Sequence, residues 1–212
     1  MSAKSEVERL EDLWSGDFGD QYVERNKDCF AGRDVFWNGV MDMLRPKSVL
    51  EVGCNVGSNL RWIAQRVPPR DVVGTDVNER SLALLRSRHP QVNALWAPAR
   101  DLPFRDARFD LVFTLTVLIH LPPEILPLAM AEVVRCSSRY VFCGEFYAEE
   151  PTEVTYRGQA GALFKRDFGA MYQRLFPELV LLKQGFLARA DGGVWDDVTY
   201  WIFEKSGSRC GD

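Results

Sequence analysis

The chain has only two histidines, His89 and His120, far apart in sequence, and none of its five cysteines (Cys29, Cys54, Cys136, Cys143, Cys210) forms a CxxC pair. No zinc-knuckle spacing exists, and an odd cysteine number behind a leader without an apolar core argues against a disulfide framework. The thiols are read as reduced, small hydrophobes, and no metal is expected. Long apolar runs are also missing. Nothing approaches the ~20 residues of a membrane helix, and the start, MSAKSEVERLEDLW, is charged and amphipathic. Positive charge is not in excess either: 26 Lys+Arg against 30 Asp+Glu gives a net charge of -4, with no broad attraction for nucleic acid or an anionic membrane. Repeats, low-complexity tracts and Gly/Ser linkers are absent. What remains is a 212-residue, 46% hydrophobic chain, read as one domain with a cytoplasmic address, a monomer or homodimer with no membrane or nucleic-acid partner expected.

Apolar residues recur with helical spacing over residues 5–15 and 28–44. In the second segment Phe30, Val35, Phe36, Val40, Met41 and Leu44 form a stripe that Arg45-Pro46 ends. Between them WSGDFGDQYVERN, Trp14 to Asn26, reads as a Gly-rich turn and a short polar segment. From residue 47 strands and helices alternate. Strands are expected over 47–53, 71–76, 91–98, 108–121 and 138–147, and helices over 57–67, 78–88 and 122–136, the last regular from Pro127. A connecting region rich in Glu, Gly and Arg precedes a helix near 166–175. Strands near 179–188 and 197–204, with no helix between them, read as an antiparallel edge pair. The alternation predicts an α/β protein with a mostly parallel sheet covered on both faces.

Functional signal gathers at the strand ends. EVGCNVG places Glu51, Gly53 and Gly57 across the first strand-to-helix turn, where glycines permit close approach of backbone to ligand. Cys54 and Val56 interrupt the GxGxxG dinucleotide pattern. Asp76, ending the second strand, can accept hydrogen bonds from both hydroxyls of a ribose, or can cap the helix that follows. Glu51 opposes a pyrophosphate and suits a cationic ligand. Acid, glycine turn and acid together favour a sulfonium nucleoside over NAD, although an NAD-linked oxidoreductase and a non-catalytic assembly partner remain open at this point.

With these motifs the chain resembles the class I S-adenosylmethionine-dependent methyltransferases over roughly residues 45–145. Glu51 to Gly57 matches the family's first turn, Asp76 the ribose acid, LPFRDARFDLVF (102–113) the approach through strand four, and TLTVLIHL (114–121) the loop at the cofactor's methionine end. The resemblance implies a Rossmann-like seven-stranded mixed sheet of class I methyltransferase type, with the first strand at its centre and residues 1–45 as a helical lid. It implies S-adenosylmethionine as cofactor, with S-adenosylhomocysteine as product. It also implies cofactor contacts at Glu51, Gly53, Cys54, Asn55, Gly57 and Asn59, at Asp76, Val77 and Asn78, and at Thr116, Val117 and Leu118. Where many relatives have an acid after strand three, this chain has Pro98, so the adenine is expected at Ala99, Arg100 and Asp101.

Outside that core the chain is similar to the methylases associated with pseudaminic acid biosynthesis. The resemblance rests on a head (Trp14, Gly16, Phe18, Gly19, Tyr22, Arg25, Asn26), on Val117 to His120, on Tyr156-Arg157-Gly158 with Leu163 to Phe168, and on Asp196-Asp197-Val198-Thr199-Tyr200-Trp201. Tyr22, Arg25 and Asn26 share one surface if helical, and Arg25 could pair with the cofactor's carboxylate. Arg157, Lys165 and Arg166 suggest an anionic group on the substrate, whereas Asp196 and Asp197 could hold an amine. Tyr147 and Tyr156 are candidate hydroxyl donors. For proton removal His120, after strand four, is the first candidate and Glu145, ending strand five, the second, with a purely structural histidine as the competing reading. The expected reaction is methyl transfer to oxygen or nitrogen of a small polar, anionic or zwitterionic metabolite. A nucleic-acid methyltransferase is the main rival.

Overall fold

The computed structural model describes residues 5–28, 32–190 and 194–207. Cys29, Phe30 and Cys210 lie outside them.

Three helices come first. α1 (Glu6–Ser15) begins in a capping box, Ser5 accepting from the Glu8 amide while the Glu8 carboxylate accepts from the Ser5 amide. α2 (Asp17–Asn26) occupies the segment expected as a Gly-rich turn and a short polar stretch, and it places Tyr22, Arg25 and Asn26 on a helix. Its lower face buries Gly19 and Val23, which the Gly-rich composition disguised. α3 (Asp34–Leu44) ends at Arg45, whose left-handed φ of 47° turns the chain into Pro46. Trp37, Val40, Met41 and Leu44 are buried on one side of it, each large apolar side chain contributing ~1.5–3 kcal/mol by its removal from water.

The sheet then forms from β1 (Val49–Val52), β2 (Val72–Asp76), β3 (Asn93–Trp96), β4 (Phe109–Leu115) and β5 (Ser137–Glu145), all parallel, in the order β3-β2-β1-β4-β5. The helices between them are α4 (Leu60–Ile63), α5 (Glu79–Arg88) and α6 (Leu126–Cys136). α4 is a single turn, shorter than the 57–67 expected, and Pro68-Pro69 soon follows it. α6 begins one residue before Pro127, where a proline costs no hydrogen bond.

Next comes a feature absent from the sequence reading. β6 (Thr152–Tyr156) and β7 (Gln159–Lys165) form a separate two-stranded hairpin. Its turn, Arg157-Gly158, has positive φ at both residues (49° and 82°), the backbone that matches strand twist in a two-residue hairpin. The region looked like a loop because β6 is largely polar and exposed.

After α7 (Phe168–Leu175), β8 (Leu179–Leu187) and β9 (Val198–Lys205) complete the seven-stranded sheet, β9 antiparallel to both β5 and β8. Both added strands lie on the β5 side. β1 is therefore the middle of the five parallel strands, while β4, not β1, is the middle of all seven. One face packs Trp37, Leu60, Leu82 and Phe142. The other packs Val112, Met130, Phe168 and Tyr172. Strands are added in one direction from β1 to β3 and in the other from β4 onward, so a crevice opens beyond the carboxyl ends of the parallel neighbours β1 and β4, where open α/β sheets take ligands.

Candidate functional site

A cavity of about 360 Å³ lies at that crevice, roofed by α1 and α2. The size falls in the ~300–1,000 Å³ range of small-molecule sites.

The first wall is the end of β1. Glu51 is 2% exposed, and Asn59 Nδ2 donates to its Oε1 at 2.6 Å. Asn59 Oδ1 in turn accepts from Trp37 Nε1 at 3.1 Å and Arg33 Nη1 at 2.9 Å. This orients the amide and leaves Glu51 Oε2 buried without a partner. Burial pushes the carboxyl up to about 8, with the Asn59 hydrogen bond opposing it. Gly53 (φ 73°) turns the backbone so tightly that any Cβ there would overlap Val117. Cys54 and Asn55 follow on the cavity lining, and the Asn55 side-chain oxygen is buried and unpartnered. Gly57 does not line the cavity. A Cβ at Gly57 would strike Leu85 of α5, so its role is helix packing rather than the ligand approach expected.

The second wall is the end of β2. Asp76 accepts from the Asn55 amide at 2.8 Å and from the Asn78 amide at 2.9 Å. Burial raises its pKa, with these amides opposing the rise. The capping alternative belongs to another residue: Asn78, not Asp76, caps α5 by accepting from the Ser81 amide. Val77 also lines the cavity, and Asn78 Nδ2 reaches up to Trp14 O and Asp20 Oδ1, tying the roof down.

Ala99 and Arg100 line the third side, but the Arg100 guanidinium is closed by Glu11 of α1, through Nε at 2.7 Å and Nη2 at 2.8 Å. Asp101 is exposed and lies outside the lining. Thr116, with φ 56°, and Val117 line the fourth side, whereas Leu118 is fully buried in the core.

Glu145 is corrected from a catalytic candidate to a support. Fully buried and outside the cavity lining, its carboxylate accepts from the amides of Val117, Leu118 and Ile119 at 3.3, 3.1 and 3.3 Å. Burial raises it to about 7 against those hydrogen bonds. His120, at the end of that loop, lines the cavity. Its Nδ1 lies 2.6 Å from the Ala162 carbonyl of β7. A carbonyl only accepts, so Nδ1 carries the proton and Nε2 the lone pair. Burial lowers its pKa to about 4.

Of the roof residues, Tyr22 and Asn26 line the cavity. Arg25 is exposed, over the Tyr22 ring, and lies in a separate surface depression with Arg157, Asp12 and Asp17. The anionic-substrate trio is therefore dispersed. Arg157 is on the hairpin turn, Lys165 lies over the Phe146 ring, and Arg166 is 6% exposed with its guanidinium over Phe164. Asp196 lines the cavity, but Asp197 accepts from the Arg189 amide outside it. Tyr147 is exposed beside Trp201, and Tyr156 backs the Trp14 and His120 rings without lining the cavity.

Among the lining residues that escaped assignment are Glu11, Trp14, Arg33 and Trp195. Trp14 stood in the head motif, and Trp195 precedes the Asp-Asp pair, so both carried a signal. Arg33 had none, since its place depends on α3 docking against Asn59.

Comparison with known proteins agrees with the fold. Residues 49–139 match a family model described as a methyltransferase domain. Solved structures superpose along nearly the whole chain. The 1,6-didemethyltoxoflavin-N1-methyltransferase of Burkholderia thailandensis, with bound S-adenosylhomocysteine, has a TM-score of 0.73 at 15% identity, covering 97% of this chain and 93% of that one. The fold is that of the class I methyltransferases. Magnesium protoporphyrin IX methyltransferase of Synechocystis, with bound S-adenosylmethionine, gives a TM-score of 0.71 at 16% identity, over 97% and 100% of the two chains. Among curated relatives, a probable S-adenosylmethionine-dependent methyltransferase of Mycobacterium tuberculosis is 33% identical over 92 residues, 43% of this chain and 33% of that one. An O-methyltransferase of Aspergillus nomiae is 31% identical over 113 residues, 50% of each chain. The chain thus spans a third to a half of these relatives' length. Among the described residues, no helix is long and apolar enough to cross a membrane.

Proposed function

We propose that the chain is an S-adenosylmethionine-dependent methyltransferase acting on an oxygen or nitrogen of a small molecule, working as one domain with residues 1–45 as its lid. The observation that carries this reading is Glu51 Oε2, a buried carboxylate oxygen with no partner, facing across the glycine turn an Asp76 held by two amides. An unpaired buried carboxylate is costly unless a cation meets it. A ligand ammonium fits Glu51, ribose hydroxyls fit the remaining lone pairs of Asp76, and the buried, unpartnered Asn55 oxygen accepts a further donor. Arg33, beside Glu51 through Asn59, is the cavity cation suited to the ligand's carboxylate in place of Arg25. Bound there, S-adenosylmethionine supplies a methyl group made electrophilic by its sulfonium.

The chain's own work is positioning and proton removal. Glu145 holds the loop after β4 through three amides, Ala162 fixes the His120 tautomer, and Nε2 is left to take a proton from the nucleophile. The head and C-terminal motifs support kinship with the pseudaminic acid-associated methylases, which we read as ancestry rather than substrate. The anionic pocket is set aside, because Arg157, Lys165 and Arg166 do not meet at the cavity.

Titration calorimetry tests the reading. Wild-type protein should bind S-adenosylmethionine and S-adenosylhomocysteine and ignore NADH. Asp76→Ala should weaken both ligands by about 1.5–3 kcal/mol, the loss expected for charge-assisted hydrogen bonds. Equal affinity in the variant refutes the ribose assignment, and NADH binding in place of both ligands refutes the function.

A further inference from the structure

The acceptor compartment can be read from what surrounds His120. Among the described residues lining the cavity, the cations are Arg33 and Arg100. Arg33 donates to Asn59 and lies over the Trp195 ring, on the Glu51 side. Arg100 is saturated at two nitrogens by Glu11. Among the described residues, no lysine lines the cavity. Around His120 the wall is instead aromatic and apolar. The Trp14 ring centroid is 4.3 Å from the imidazole, and Tyr22 is 5.5 Å from Trp14. The turn after His120 adds Leu121, Pro122 and Ile125. An anionic acceptor would be desolvated there with no counter-charge. Asp196, also on the lining, opposes it further.

A flat, weakly polar molecule suits such walls, gaining area burial and ring contacts with Trp14. The indole N–H of Trp14 is buried with no partner, and a ring-borne oxygen next to the nucleophile would supply one. Among the described residues, the neutral base at that wall is a single imidazole whose other nitrogen is spent on Ala162. As a general base, an imidazole lone pair is better matched to an O–H or N–H acidified by conjugation than to an aliphatic alcohol, whose pKa lies much further from its own.

We infer that the acceptor is a planar, conjugated molecule carrying an acidic ring hydroxyl or ring N–H, a phenol, enol or azole, stacked beside Trp14 and Ile125 with its proton directed to His120 Nε2. The inference rests on the methyltransferase reading and narrows its substrate class. In the step, the nucleophile's O–H or N–H proton passes to Nε2, its electron pair forms the bond to the methyl carbon, and the carbon–sulfur pair returns to sulfur. The product is a neutral methyl ether or N-methyl ring plus S-adenosylhomocysteine. The imidazolium then gives its proton to solvent.

Calorimetry on protein saturated with S-adenosylhomocysteine tests this without requiring the true substrate. 4-Nitrophenol and 2-naphthol should bind saturably, while glucuronate and ethanolamine should not. Trp14→Ala should weaken 2-naphthol about tenfold, the scale of one lost aromatic contact. Ile125→Ser, on a separate element, should weaken it severalfold and covers the case in which the Trp14 variant is poorly folded. Glucuronate or ethanolamine binding in preference to the phenols, or phenols failing to bind at all, overturns the inference. Failure of S-adenosylhomocysteine itself to bind overturns the methyltransferase reading instead.

Discussion

Glu51 joins burial to function through one atom. Its Oε1 is satisfied by Asn59 while Oε2 has no partner, and burial holds the carboxyl up to about 8. Between the unfolded value near 4.5 and 8, the folded, ligand-free protein therefore keeps a proton that the unfolded chain releases. This group's contribution makes ligand-free stability fall as pH rises through that window. A ligand ammonium favours the ionised form, so S-adenosylmethionine binding at pH 7 should release close to one proton. Calorimetry in buffers of different ionisation heat reads this directly, and Glu51→Gln should abolish the release. Gly57 shows how a motif residue can mislead. The spacing suggested ligand approach, but the space a Cβ needs belongs to Leu85, and φ is 76°. Gly57→Val should cost about 2–5 kcal/mol in strain and overpacking, seen as a lowered urea midpoint. Normal stability with lost cofactor binding would restore the ligand role.

At the scale of elements, strand ends were legible and side-chain directions were not. β1 carries Glu51 one residue before its end and β2 ends in Asp76, so the sequence alone puts both acids at the crevice. Glu145 ends β5 in the same way, yet its carboxylate turns inward to three amides of the neighbouring loop, a choice set by packing rather than by pattern. The α1–α2 roof was partly read, and the β6–β7 hairpin not at all, since its polar strands imitate a loop. That omission misplaced Arg157, Lys165 and Arg166, and it hid the Ala162 carbonyl that sets the His120 tautomer. The roof is clipped by Arg100 and Glu11, each about one-third exposed, so solvent discounts the pair to ~0.2–1 kcal/mol. Glu11→Ala should leave the unfolding midpoint nearly unchanged and speed S-adenosylhomocysteine release by up to about fivefold in stopped flow. An unchanged release rate would show that the clip does not hold the lid.

Across the whole molecule, alternation of strand and helix made the parallel sheet and its antiparallel edge pair readable, because buried parallel strands are continuous apolar runs. The centre of the sheet was less readable, since β8 and β9 add only on one side. The order places the β1–β4 switch point under the N-terminal helices, so the roof, the acids and His120 converge although they come from distant parts of the chain. The most direct measurement of that convergence is label transfer from S-adenosylmethionine carrying a 13C methyl, in a pool of small aromatic metabolites, with products identified by mass. The expected product bears the labelled methyl on a ring oxygen or nitrogen. His120→Ala should form it about 10²–10⁴-fold more slowly while binding the cofactor normally. Cofactor bound with no labelled product from any pool, or label transferred as fast by His120→Ala, would contradict it.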